Sequence, residues 1–169
     1  RKGLSLGEAE QRLRNANYFG CAMLALGEAD AVLSGVNATY PETVRPALET
    51  VGASPRAGVL SGMYMLVFDK RVVFCGDTTI NVDPTAEQLA QIALTAARIV
   101  RTFGEEPRVA MLSFSNFGSV RHPDAAKVAR AVEILRERAP YLVVDGEMQA
   151  DTALDEEIQR TRYPFSALQ

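Results

Sequence analysis

Residues Met111–Glu137 read MLSFSNFGSVRHPDAAKVARAVEILRE, and this stretch decides how the chain is read. An apolar run passes into Ser113, Ser115, Asn116, Gly118 and Ser119, then through Pro123 into a charged stretch. After the proline, Ala125, Val128, Ala129, Val132 and Leu135 recur at helical spacing, with Lys127, Arg130, Glu133 and Glu137 between them. The pattern predicts a strand over 109–114, a small polar loop, and a helix over 123–138. Strand, loop, helix is the unit of layered α/β domains, and ligands bind at the carboxyl ends of their strands.

Working outward, the same alternation recurs. Ser5-Leu6-Gly7-Glu8 has the form of a capping box and predicts a helix over 6–14. YFGCAMLAL, 18–26, is almost wholly apolar and predicts a helix buried on most sides. A short strand is expected over 31–34, followed by a helix opening at Pro41 and closed by Gly52. Met63–Phe68 and Val72–Cys75 flank Asp69-Lys70 and predict an antiparallel hairpin. Asp83-Pro84 predicts the start of a long helix capped by the aspartate and ended by Gly104. A buried strand is expected over 142–144, then a loop and a short acidic helix. These elements predict an α/β domain with a mainly parallel sheet plus one antiparallel hairpin.

The 169 residues include 47% hydrophobic and 23% charged side chains, enough apolar material for a real core. Net charge is −3, and the arginines alternate with glutamates along predicted helices. That reads as solvated helix faces, so nucleic acid is not an expected partner. Cys21 and Cys75 belong to no Cys/His cluster and His122 is the single histidine, so no zinc site is expected. The two cysteines are read as buried thiols of a cytoplasmic protein. No apolar run reaches the roughly 20 residues of a membrane span, so no membrane partner is expected.

Two strand-end loops are candidate anion sites. SFSNFGSVRHP offers three serine hydroxyls, Asn116 and Arg121 at the start of a helix. The competing reading makes these residues a turn and helix cap only. SGVNATYPETVRP repeats the design, with Ser34, Thr43 and Arg45, and an arginine there can grip a phosphate with its planar fork. An exposed salt bridge is the alternative role for Arg45. Asp77, at the end of the predicted hairpin strand, is open to a capping or a catalytic role. Asp145, Glu147 and Asp151 crowd after a strand, where carboxylates can act as acid or base or hold a metal; capping helices and pairing with Arg160 or Arg162 is the preferred reading. His122 is expected to cap or to lie at the surface. Neither a Gly-Lys-Ser/Thr phosphate loop nor a Gly-x-Gly-x-x-Gly fingerprint occurs.

In order along the chain, NYFGCAMLALGEADAVLSGVNATYPETVRPALETVG, INVDPTAEQLAQIAL, PRVAMLSFSNFGS and VDGEMQADTAL resemble the phosphate acetyl/butyryltransferase family. The transferases usually carry a Ser-Thr pair followed by Gly-Ser in the serine loop, where this chain has Asn116-Phe117. That spelling is most similar to the C-terminal phosphotransacetylase-like domain of hybrid NADP-dependent malic enzymes.

The resemblance implies a three-layer fold of the isocitrate/isopropylmalate dehydrogenase type. It implies contacts to acetyl-CoA or phosphate from Ser34, Thr43 and Arg45 in one loop and Ser113, Ser115 and Ser119 in the other, with Asn116 a further candidate as a donor of the same loop. It carries over no catalytic residue, because the family's serine–arginine pair lies in a segment beyond Gln169, so the chain is expected to be a partial domain. It further implies a regulatory module attached to a malic enzyme catalytic part. NADP and a divalent metal would belong only to that other part, and the protein would form homo-oligomers. An active phosphate acetyltransferase and an oligomerisation module without ligand are the alternatives.

Overall fold

The computed structural model describes residues 3–54 and 58–169. The chain divides into two compact units, 1–56 and 57–169.

The first unit is helical. α1 (Leu6–Leu13) opens on the expected capping box, in which the Ser5 hydroxyl accepts from the Glu8 N–H and the Glu8 carboxylate takes the Ser5 N–H at 2.8 Å. α2 (Ala16–Leu26) is capped by Asn15 and stopped by Gly27 in the left-handed region. Its apolar surface is not enclosed as expected: Cys21 is buried, but Phe19 and Leu26 remain exposed. Burial pushes the Cys21 thiol pKa up.

No strand forms over 31–34. Strand hydrogen bonds need a neighbouring strand, and this segment has none among the described residues. Val32 instead packs over Gly20 of α2, while Leu33 is fully exposed.

α3 (Tyr40–Thr50) carries Pro41 in its first turn and a buried Pro46. Its start is fastened by Glu42, whose Oε2 accepts from the Thr39 N–H at 2.8 Å and the Thr39 hydroxyl at 2.7 Å. These bonds hold the Glu42 carboxyl below its ordinary 4.5. A carboxyl lowered by folding stabilises the fold above its unfolded value and loses that contribution as pH falls through the folded value. The α3 start is therefore expected to loosen below pH 4.5. Hydrogen exchange of the Thr39 amide against pH checks this, and Glu42→Gln should flatten the profile.

In the second unit, β1 (Met63–Val67) and β2 (Val72–Gly76) form the expected antiparallel hairpin, pairing Met63 with Gly76 and Val67 with Val72. Cys75 is half-buried and both cysteines are free thiols. α4 (Ala86–Thr102) packs against β2, where Gly76 leaves room for Ile92 and Ala96.

The cap of α4 is Thr85, not Asp83. Thr85 Oγ1 accepts from the Gln88 N–H at 3.2 Å, and Gln88 Oε1 accepts from the Thr85 N–H at 2.8 Å. Asp83 instead accepts from Lys127 at 2.5 Å, which lowers its pKa. Thr85→Ala is expected to cost about 1 kcal/mol of unfolding free energy. Asp83→Ala should leave the α4 cap intact, which amide exchange at Gln88 reads directly.

β3 (Arg108–Leu112) and β4 (Val143–Met148) pair in parallel, joined by α5 (Pro123–Arg138). β4 is longer than the expected 142–144 and reaches Met148. α6 (Ala150–Leu154) and α7 (Glu156–Arg162) follow. The core lies between α4, α5 and this parallel pair, where Ala90, Ala97, Ala131, Leu135, Leu142 and Val144 are buried. Alanines at the contact let the two helices approach closely. The α/β class is as read from the sequence, a parallel sheet and an antiparallel hairpin with helices packed on both.

Candidate functional site

The carboxyl end of the parallel pair carries the serine loop, and one irregularity in β4 organises it. Met111 pairs with Gly146 and Leu112 pairs with Met148, leaving Glu147 as an extra residue in β4. A bulge of this kind re-aims the side chain it inserts. Glu147, 4% exposed, is turned into the loop between β3 and α5. Its Oε1 accepts from the Ser115 hydroxyl at 2.9 Å and from the Gly118 N–H at 2.6 Å. Its carbonyl accepts from the Phe117 N–H at 2.8 Å.

The remaining loop residues are tied to one another. The fully buried Ser115 hydroxyl also accepts from the Val120 N–H at 3.2 Å and lies 3.3 Å from the Ser119 hydroxyl. Ser113 Oγ accepts from the Ser115 N–H at 3.2 Å, and Ser119 Oγ accepts from the Asn116 N–H at 2.9 Å. Asn116 Nδ2 donates to Gln149 Oε1 at 3.1 Å, and Asn116 Oδ1 accepts from the Gln149 N–H at 2.7 Å. Gln149 also donates to the Phe114 carbonyl. Phe117 has a positive φ of 48°, and its ring lies against Tyr163 and Phe165 with centroids 5.1 Å and 4.9 Å away.

The loop thus gathers Ser113, Ser115, Asn116 and Ser119, with their polar groups turned to one another and to β4. The start of α5 presents fewer free N–H groups than expected. Pro123 has none, Asp124 gives its N–H to His122 Nδ1 at 3.2 Å, and Ala126 gives its N–H to the His122 carbonyl. His122 is the cap of α5, as expected.

The other candidates lie in the first unit. Ser34 is exposed and donates to Asn17 Oδ1 at 2.6 Å. Thr43 donates to the Thr39 carbonyl at 3.2 Å, an ordinary bond within a helix start. Arg45 is exposed on α3.

Asp145 does not pair with Arg160 or Arg162. It is 4% exposed and accepts from Arg136 at 2.7 Å and from the Ala167 N–H at 2.8 Å. Its carboxylate is committed to Arg136 of α5 and to the Ala167 and Gly146 N–H groups. Asp151 accepts from the Thr152 N–H at the start of α6. Asp77, at φ 49°, accepts from the Ile80 and Asn81 N–H groups and holds a turn. Among the described residues no three His, Cys, Asp or Glu gather as metal ligands, and no helix is long and apolar enough to cross a membrane.

Sequence reasoning assigned Glu147 a capping role and passed over Gln149, Tyr163 and Phe165. Glu147 carried one local signal: a carboxylate two residues after Asp145 in a run that continues as a buried strand. Gln149 and the two aromatics carried none, because their partners lie some thirty or more positions away.

Beside the loop lies an open groove of about 410 Å³, lined by Gly118, Val120, Ala125, Ala126, Ala129 and Glu147 together with Arg121, His122 and Pro123.

Comparison with known proteins places this arrangement. A phosphate acetyltransferase of Nitratidesulfovibrio vulgaris is 40% identical over 168 residues, 99% of this chain and 24% of the relative. An NADP-dependent malic enzyme of Escherichia coli is 41% identical over 169 residues, 99% of this chain and 22% of the relative. The crystal structure of a phosphotransacetylase from Streptococcus pyogenes superposes with a TM-score of 0.80 at 37% identity, over 96% of this chain and 50% of that one. The chain therefore spans about a quarter of the length of these curated relatives. The family description phosphate acetyl/butaryl transferase matches residues 1–169, and the chain belongs to that family.

Proposed function

We propose that this chain is an acetyl-CoA-sensing phosphotransacetylase-like domain of an NADP-dependent malic enzyme, with the malate chemistry, NADP and a divalent metal confined to another part of the polypeptide. On this reading the protein is cytoplasmic and homo-oligomeric, and acetyl-CoA shifts the assembly between activity states.

One observation carries it. Asn116-Phe117, which stands where the transferases carry their threonine step, is committed to structure: Asn116 bridges to Gln149 and Phe117 packs on Tyr163 and Phe165. Acyl transfer from CoA to phosphate needs a positioned anion and donors that stabilise developing charge. A loop whose hydroxyls are spent on Glu147 and on one another suits a binding or transmitting role better than that chemistry.

The full-length protein decides between the readings. Malate-dependent NADP reduction should change about five-fold or more with acetyl-CoA, while acetyl phosphate formation from acetyl-CoA and phosphate stays at background. Turnover to acetyl phosphate would instead support a phosphate acetyltransferase. That second reading draws on the Nitratidesulfovibrio relative and on a Synechocystis phosphate acetyltransferase 42% identical over 99% of this chain.

A further inference from the structure

Phe117 stands in a conformation that a side chain of its size adopts only under constraint. Its φ is 48°, in the left-handed region, and Gly118 follows it at 81°. Strain of this kind persists only where the surroundings impose it. Two contacts impose it here. The Phe117 N–H is held by the Glu147 carbonyl at 2.8 Å, and the ring lies against both Tyr163 and Phe165. Those two rings also meet each other edge to face, with centroids 6.1 Å apart. The backbone of Phe117 sets the direction of the Gly118 N–H, which points at Glu147 Oε1. While the ring is held, the Phe117 and Gly118 N–H groups are both turned inward onto Glu147.

The two outer rings belong to a segment that is itself fastened. Tyr163 closes α7, giving its N–H to the Gln159 carbonyl. Its own carbonyl accepts from the Ser166 N–H and from the Gln169 side chain. The buried Asp145 takes the Ala167 N–H and is bound in turn by Arg136 of α5. Residues 163–169 are thus a strap from α7 to β4, and its aromatic end meets the serine loop. The contact is a surface one: Phe165 is 67% exposed, and Phe117 and Tyr163 are half-buried. It can part without opening the core.

We infer that Tyr163 and Phe165 are a latch that holds the serine loop in its self-bonded form, and that the loop admits its ligand only when Phe117 leaves them. The inference rests on the acetyl-CoA-sensing reading above and adds the device that sets how readily that site opens. A ligand that needs the open form binds with its affinity reduced by the fraction of molecules that are open. Weakening the latch therefore tightens binding. A merely structural role for the two rings predicts the opposite, because a loosened site binds less well.

Calorimetry with acetyl-CoA and hydrogen exchange over residues 115–120, both on the full-length protein, test the latch. Phe165→Ala, at an exposed position, and Tyr163→Ala each take one ring away from Phe117. Each should tighten acetyl-CoA binding roughly threefold or more, the order expected from losing one aromatic pair. Each should also speed exchange of the Phe117 and Gly118 amides. Phe165→Tyr and Tyr163→Phe keep the rings and should return both readouts to the parent values. Unchanged or weaker acetyl-CoA binding by both alanine variants overturns the latch and leaves the acetyl-CoA reading standing. Unchanged exchange of the two amides does the same. Absence of acetyl-CoA binding by the parent and by both alanine variants overturns the latch and that reading together.

Discussion

Replacing Glu147 with alanine is expected to lower the unfolding free energy by about 3–5 kcal/mol. Two donors lose their acceptor, the Ser115 hydroxyl at 2.9 Å and the Gly118 N–H at 2.6 Å. Ser115 is fully buried, so water cannot replace the lost bond without opening the loop. Leaving a buried donor unpaired costs about 1–3 kcal/mol, and bonds to a charged acceptor are among the stronger ones. The missing side-chain volume adds a cavity. Denaturant unfolding of the full-length protein measures the change. Glu147→Gln retains an acceptor at the Oε1 position and should stay within about 1.5 kcal/mol of the parent. An alanine variant as stable as the parent would mean that Glu147 does not hold the loop.

The second large effect is expected at Gly146, where Gly146→Ala should cost about 3 kcal/mol or more. Its φ is 137°, a region that side-chain-bearing residues rarely adopt, and an added Cβ would lie 2.6 Å from the Met111 carbonyl oxygen. That oxygen belongs to the neighbouring strand, so relief requires moving β3 or β4. Gly118 makes the control. Its φ is 81°, but nothing lies within 4 Å of an added Cβ. Gly118→Ala should therefore cost only the backbone term of about 1–2 kcal/mol. Unfolding curves of the two variants, side by side, separate steric clash from conformational preference. Equal effects at both positions would show that the close approach of β3 to β4 is unimportant.

The two positions share a cause. Gly146 lets β4 come close to β3, and the following residue is the one inserted by the bulge. The carboxylate that organises the serine loop thus depends on a glycine one residue earlier.

Local interactions were legible in the sequence wherever donor and acceptor lie within a turn of each other. The Ser5–Glu8 box, the Gly52 and Gly104 stops, and His122 as a cap follow from short-range chemistry. The α4 start was ambiguous for the same reason. Asp83 and Thr85 both precede the helix, and Thr85 wins because Gln88 stands three residues on to complete the box. Asp83 is left to Lys127, 44 positions away. The segment 31–34 has strand-like composition, but composition supplies no partner for its backbone, and it stays irregular.

The site divides along the same line. That Ser113, Ser115, Asn116 and Ser119 sit together at the end of a strand was determined by sequence order alone, since they occupy one short loop between β3 and α5. Periodicity likewise determined the hairpin, α4, α5 and the α/β class. What those hydroxyls bond to was decided by tertiary structure. Glu147 and Gln149 reach the loop only because β4 pairs in parallel with β3, and the bulge decides which β4 side chain turns inward. Likewise Arg136 rather than Arg160 or Arg162 meets Asp145, because α5 packs across β4. Hydrogen-bond partners separated by some thirty residues leave no periodic trace, and a one-residue bulge reverses the face on which a strand residue falls.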